Sequence, residues 1–158
     1  MTKFIKYIPH ALAVFSSIIF LDSLRYKFTD HPNTQEIFGR LNDWAAGLGA
    51  DGLFAHTGLF SQYTIGTAEL AASALLLLGI FPKFRRLQAL GALLGIAVMT
   101  GAISFHLFTP LGIDPNNDGG GLFAMACLVW LSCAALIIWR RKQLLALLCG
   151  VKKAVFAA

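Results

Sequence analysis

The chain reads as four long apolar runs separated by polar stretches. The first goes from Tyr7 to Leu24 and is interrupted only by Asp22. The second, Tyr63 to Phe81, contains Glu69, and the third, Leu87 to Thr109, has His106 near its end. The fourth, Gly119 to Trp139, carries no charge. Each approaches the roughly 20 residues that cross about 30 Å of hydrocarbon as a helix. None alternates with a period of two, as the strands of a membrane barrel do. In lipid the backbone must satisfy its own hydrogen bonds, which a helix does. The pattern therefore predicts an all-α integral membrane protein. It would be a four-helix bundle forming one transmembrane domain over 1–158, with helices at about 7–24, 63–81, 87–109 and 119–139.

The long polar stretch at about 25–61 holds one more predicted helix. Pro32 and Asn33 open it, and Glu36, three residues on, completes a capping box. Ile37, Leu41, Trp44, Ala45 and Leu48 fall on one face, and Gly47 and Gly49 end it. Such an amphipathic helix lies on a membrane surface or caps the bundle. The tail after Lys142, with Leu144, Leu145, Leu147 and Leu148, has the same character.

Composition supports the membrane reading. The chain is 57% hydrophobic and 13% charged, where a soluble domain carries about 25% charged residues, and its mean hydropathy is +0.68. The net charge of +5 would suit nucleic acid, but the basic residues flank apolar runs and form no patch interleaved with aromatics. The partner they imply is a lipid bilayer, not a nucleic acid.

Charge also orients the runs. Lys3, Lys6, Lys83, Arg85, Arg86, Arg140, Arg141, Lys142, Lys152 and Lys153 fall on one side. Asp22, Asp30, Glu36, Asp43, Asp51, Asp114 and Asp118 fall on the other, with Arg25, Lys27 and Arg40. By the positive-inside rule the first side is cytoplasmic. The expectation is a multi-pass protein of a bacterial inner membrane with both termini in the cytoplasm and the amphipathic loop helix in the periplasm. The first run follows two lysines as a signal peptide would, but Leu21-Asp22-Ser23-Leu24-Arg25 offers no small-x-small cleavage site, so it reads as an uncleaved helix.

Several motifs are missing. Cys127, Cys133 and Cys149 form no C-x-x-C and read as small packing residues. No dinucleotide, phosphate-loop or nucleophile-elbow motif is present. A copper site would need more soft ligands in register with His106 and Met99, and haem would need a second inward histidine. No metal site is expected. Gly91 and Gly95 make a G-x-x-x-G, suited to close packing inside the bundle or to a homo-oligomer.

Ionisable groups within a membrane are costly and face the protein interior or a cavity. Glu69 lies about 9 Å along its helix at 1.5 Å per residue, His106 lies near the end of the third run, and Asp22 and Arg25 lie near the end of the first. All four therefore share one leaflet. Gln62, Gly66, Glu69 and Ser73 form one helical stripe, and Gly95, Met99, Ala102 and His106 form another. Together they predict a periplasm-facing polar pocket lined by Asp22, Arg25, Lys27, Glu69, Ser104 and His106. Most also have a structural reading: Glu69 as a packing acid paired with His106 or Arg25, His106 as a cap or anchor near the interface, Asp22–Arg25 as an interfacial ion pair, and Lys27 as a side chain that snorkels or closes the pocket mouth.

Four segments carry a family resemblance. Leu24-Arg25-Tyr26-Lys27-Phe28-Thr29-Asp30-His31-Pro32, Gly66-Thr67-Ala68-Glu69-Leu70, Gly101-Ala102-Ile103-Ser104-Phe105-His106-Leu107 and Asp118-Gly119-Gly120-Gly121-Leu122-Phe123 resemble, in order, helix ends of DoxX-like membrane proteins, and more distantly of YkgB-like ones. The resemblance covers about residues 15–138 and implies a four-helix membrane protein with Lys27, Glu69 and His106 on motif positions. The family name comes from a subunit of a thiosulfate:quinone oxidoreductase, and other relatives are linked to redox stress or act as membrane chaperones.

Three functions follow as expectations. One is an accessory subunit of a redox or stress-response system, not an enzyme on its own, whose pocket takes a small molecule such as a quinone. The second is a non-catalytic scaffold or chaperone with a membrane or periplasmic protein partner. The third is a small proton-linked transporter, for which four helices are few and no inverted repeat is evident.

Overall fold

The computed structural model describes residues 5–156, except for the side chains of Leu148 and of residues 150–156. Lys3 and the side chains of Lys152 and Lys153 thus lie outside the described residues. All the helices are α apart from one short 3₁₀ turn at Pro82–Phe84, and no strand occurs among the described residues. In chain order they are α1 (Ile8–Lys27), α2 (Pro32–Gly47), α3 (Gln62–Leu78), α4 (Arg85–Phe108), α5 (Gly121–Trp139) and α6 (Arg141–Phe156).

Three segments are long and apolar enough to cross a membrane: Ile8–Lys27, Pro82–Phe108 and Gly121–Trp139. The second predicted run forms α3, which has 17 residues and stops at Leu78, short of the expected Phe81. Pro82 explains the early stop. A residue before proline is driven to extended backbone, and Phe81 sits at φ −69° and ψ 136°. α1 instead runs a turn past its apolar stretch, because Arg25 and Lys27 occupy its last turn, where cations meet the negative end of the helix dipole.

α1, α3, α4 and α5 pack side by side in a ring, with α3 and α5 each lying between α1 and α4. Their inward faces are mostly small: Ala13, Ser16 and Ser17 on α1, Ala72 and Ser73 on α3, Ala89 and Ala92 on α4, and Cys133 on α5 are buried around Phe20, Leu76, Val129 and Leu136. Both predicted stripes face inward: Gln62, Gly66, Glu69, Ser73, Gly95, Met99 and His106 are buried, and Ala102 is half-buried. The outward faces are apolar, with Ile18, Leu70, Leu93, Leu131 and Ile138 exposed. A bundle with large aliphatics outside and small residues inside is organised for lipid, where helices gain from close contact rather than from escaping water.

The glycine pair shows that close contact. A Cβ on Gly91 would lie 2.8 Å from the Leu76 backbone N and 3.0 Å from the Ala72 carbonyl, so the α3 and α4 backbones touch there. A Cβ on Gly95 would lie 2.8 Å from Cys133 Sγ on α5. Both glycines of the G-x-x-x-G thus serve packing within this chain.

α2 covers one end of the ring. Leu41 and Ala45 form a second, smaller core with Phe54 and Leu111, flanked by Ile37, Phe38, Trp44 and Phe105. The predicted amphipathic face therefore docks as a cap, although Leu48 beyond its end is 69% exposed. The predicted capping box is not formed. His31 Nδ1 accepts from the Asn33 backbone N–H at 3.2 Å, and Glu36 instead pairs with Arg40 at 2.6 Å. Pro32 occupies the first helical position, which suits its missing N–H and shifts the cap back to His31. At the other end of the ring α6 packs against α4, with Leu144 and Leu147 half-buried and Leu145 exposed.

The α3–α4 contact yields a direct check. Gly91→Leu should lower stability by about 1–3 kcal/mol through overpacking against backbone, whereas Leu93→Ala on the lipid-facing side should change it by less than about 0.5 kcal/mol. Thermal unfolding of the two variants in a mild detergent distinguishes them.

Candidate functional site

Beneath the cap, the upper halves of α1, α3, α4 and α5 diverge around a cavity of about 500 Å³. Most of its wall is apolar, including Phe54, Phe105, Met99 and Ile65, and a few polar groups converge on it. That size and lining are those of a small-molecule site.

The central polar group is Glu69, with 3% of its side chain exposed. Lys27 reaches it from the last residue of α1. Its ammonium donates to Glu69 Oε1 at 3.1 Å and stands 3.0 Å from Oε2, in ion-pair range. It also donates to Ser23 Oγ, one turn back on α1. A buried carboxylate without such a partner would be strongly destabilising, so Lys27 supplies the partner that Glu69 needs at this position.

A polar clamp fixes the register of that pair. Gln62, first residue of α3, donates from Nε2 to the Lys27 carbonyl at 2.8 Å and to Asp30 Oδ1 at 2.5 Å. Its Oε1 accepts from Gln35 of α2 at 2.8 Å. Asp30 also accepts from the Tyr63 hydroxyl at 2.6 Å. That hydroxyl, helped by the Gln62 amide, holds the Asp30 carboxyl below the usual carboxylate range. Asp30 takes a left-handed backbone, φ 51°, which Asp tolerates better than most residues. One carboxylate therefore ties together the end of α1 and the starts of α2 and α3.

His106 borders the cavity from α4 and is 6% exposed. Its Nδ1 lies 2.6 Å from the Gly112 carbonyl. A carbonyl only accepts, so Nδ1 carries the proton and Nε2 is the nitrogen available to a ligand. The ring meets Phe123 edge-on, with centroids 5.6 Å apart.

Asp118 completes the rim. Its Oδ1 accepts from the N–H groups of Gly120 and Gly121 at 3.0 and 3.1 Å, and its Oδ2 from Leu122 at 2.8 Å. These amides, Leu122 first, hold its carboxyl below the usual range. The preceding turn places Gly119 and Gly120 at φ 71° and 80°, a region that only glycine enters without cost.

Of the six residues singled out from sequence, Asp22, Lys27, Glu69 and His106 line the cavity, and Arg25 and Ser104 do not. Arg25 pairs with Asp22 at 3.3 Å, with side chains 71% and 57% exposed; such a surface pair contributes about 0–1 kcal/mol. Ser104 is half-buried beside the cavity wall. Glu69 pairs with Lys27 rather than with His106 or Arg25. Among the described residues Glu69 and His106 make no hydrogen bond to each other, and they meet the cavity from different walls.

Ser23, Asp30, Gln62 and Asp118 were not among the residues singled out for the pocket. Gln62 shares the helical stripe of Glu69, but its role, like those of Asp30 and Asp118, depends on backbone turns that spacing does not give. Among the described residues no group of three or more His, Cys, Asp or Glu is placed to hold a metal ion. Comparison with family models, curated proteins and solved structures finds no match to this chain. The functional reading therefore rests on its own residues.

Lys27→Met should cost about 3–5 kcal/mol by leaving Glu69 buried without its cation. The double variant Lys27→Met, Glu69→Gln should recover most of that loss. A thermal-unfolding double-mutant cycle measures the coupling; additive effects would show the pair to be energetically independent.

Proposed function

We propose that this protein is a multi-pass membrane protein that binds a small amphipathic molecule in the cavity under its cap, as an accessory component of a redox or stress-response system of the DoxX-like kind. In this reading α1, α3, α4 and α5 all cross the membrane. α3, at 17 residues, spans about 25 Å and meets the short end of the crossing range, about 17 residues. The basic end, with Lys6, Lys83, Arg85, Arg86 and Arg140–Lys142, is cytoplasmic in a bacterial inner membrane, and the cavity faces the periplasm.

The observation that carries the proposal is that the Glu69–Lys27 pair borders an open apolar space. An ion pair that only fixed helix packing would be closed over by neighbouring side chains, because buried polar groups gain nothing from an adjacent void. This pair lines a volume of about 500 Å³ with His106 on another wall. A quinone headgroup suits those features. It is flat, so it can lie against Phe54 and Phe105, and one of its carbonyl oxygens can accept from the Lys27 ammonium. On reduction to a hydroquinone its hydroxyls would find acceptors in Glu69 and His106 Nε2. The proposal is one of binding; electrons would come from a partner.

A scaffold reading has one observation in its favour. Leu48 and Leu59, in the capping segment, are each 69% exposed and offer an apolar surface to a protein partner.

Purification from native membranes in mild detergent, followed by mass spectrometry of bound small molecules, should find one ligand per chain. Glu69→Gln and His106→Ala should lose it, and Arg25→Gln, outside the cavity, should keep it. Retention in both cavity variants would sink the pocket reading, and an empty cavity with a stoichiometric protein partner would favour the scaffold. Topology is tested separately: alkaline phosphatase should be inactive when fused at the C-terminus and active when inserted beside Asp51, and the reverse pattern would invert the orientation.

A further inference from the structure

The basic end of the ring contains a cationic group that no part of the cavity explains. Arg140 follows the last residue of α5 and is only 7% exposed. The single hydrogen bond of its side chain among the described residues runs from Nε to Gln88 Oε1 on α4, at 2.7 Å. Gln88 is fully buried, and its Nε2, on the same amide, has no partner. Arg85, one turn before Gln88, stands within Coulombic reach of Arg140. His10, on the first turn of α1, is within reach of both, and its Nδ1 is buried without a partner.

Two arginines and an imidazole thus lie together where, among the described residues, no carboxylate is near. All eight acidic residues lie at or near the cavity end. Buried guanidinium groups are normally paired, since an uncompensated buried charge is costly. Among the described residues the Nη amines of Arg140 make no hydrogen bond and are not among the sealed polar atoms. They are open to a group arriving from outside.

We propose that Arg140, oriented by Gln88, and Arg85 seat the phosphate of an anionic phospholipid headgroup at the basic end of the ring. A planar guanidinium fork matches phosphate oxygens, and basic pockets between membrane helices on the cytoplasmic side are suited to such headgroups. A lipid rather than a free phosphate is indicated by what flanks the seat. Phe81, Phe84, Ile138 and Trp139 are 61%, 42%, 69% and 43% exposed, so they offer apolar surface to acyl chains beside the charged site. Phosphate would take hydrogen bonds from the Arg140 Nη amines, with Arg85 adding donors and charge.

The test uses the full chain in a neutral detergent, titrated with phosphatidylglycerol, phosphatidylcholine or inorganic phosphate and read by intact-complex mass spectrometry and thermal unfolding. Phosphatidylglycerol should bind one site and raise the unfolding midpoint more than phosphatidylcholine, while inorganic phosphate should leave it unchanged. Arg140→Gln and Arg85→Gln should each weaken phosphatidylglycerol binding about fivefold, the loss expected for one basic contact to an anionic lipid. Arg40→Gln, at the cap, should bind as the parent does. Arg85 is exposed, so its variant reports even if Arg140→Gln fails to fold. Parental affinity in Arg85→Gln, or in a folded Arg140→Gln, would overturn the site. A midpoint shift by inorganic phosphate equal to that by the lipid would overturn the lipid as occupant.

Discussion

A carboxylate with 3% of its surface exposed, placed among apolar helices, requires a cation, and most of the cavity end is arranged around delivering one. Leaving such a carboxylate unpaired costs several kcal/mol. Lys27 satisfies it only because α1 continues a full turn beyond its apolar stretch, and that extra turn must itself be held. The Phe28 N–H returns to the Leu24 carbonyl at 2.9 Å and the Thr29 hydroxyl to the Arg25 carbonyl at 2.5 Å. Asp30 then reverses the chain and collects Gln62 and Tyr63 from α3. The start of α3 is thereby tied to the end of α1, so Glu69 and Lys27 keep their relative positions whether or not the cavity is filled.

The middle of the ring obeys a different rule. Where the outer solvent is hydrocarbon, burying a leucine gains little and bringing backbones together gains more. The inward alanines, serines and glycines of α1, α3 and α4 follow from that. So do the local hydrogen bonds that satisfy the serines, such as Ser73 Oγ to the Glu69 carbonyl at 2.9 Å. The same line of small residues ends at Met99 and His106, where larger side chains and a cap take over. The cavity lies where close packing stops.

Much of this was legible in the residues. The apolar runs located the helices, the charge asymmetry separated a basic end from an acidic one, and the spacing of Glu69 and His106 placed both facing inward. The residues that failed to read correctly did so for local reasons. The second apolar run suggested a helix to Phe81, but Pro82 acts on the residue before it and shortens α3. Asn33 and Glu36 matched a capping pattern, but Pro32 moved the cap to His31. Arg25 and Lys27 are two apart, hence on different faces of α1, and only the observed end of the helix shows that Lys27 is the inward one. Asp30 and Gln62 work through a left-handed turn and a backbone carbonyl, neither of which hydrophobic spacing encodes.

The cap has a core of its own. Leu41, Ala45, Phe54 and Leu111 pack together apart from the cluster between the long helices, and α2 is joined to α3 by a segment without helix from Leu48 to Ser61. Segments that share few buried contacts with the rest of a protein open in local unfolding events that cost less than global unfolding. The cap is such a unit, so the wall it gives the cavity can loosen while the long helices stay packed. Amide exchange would then be faster across α2 than across α4.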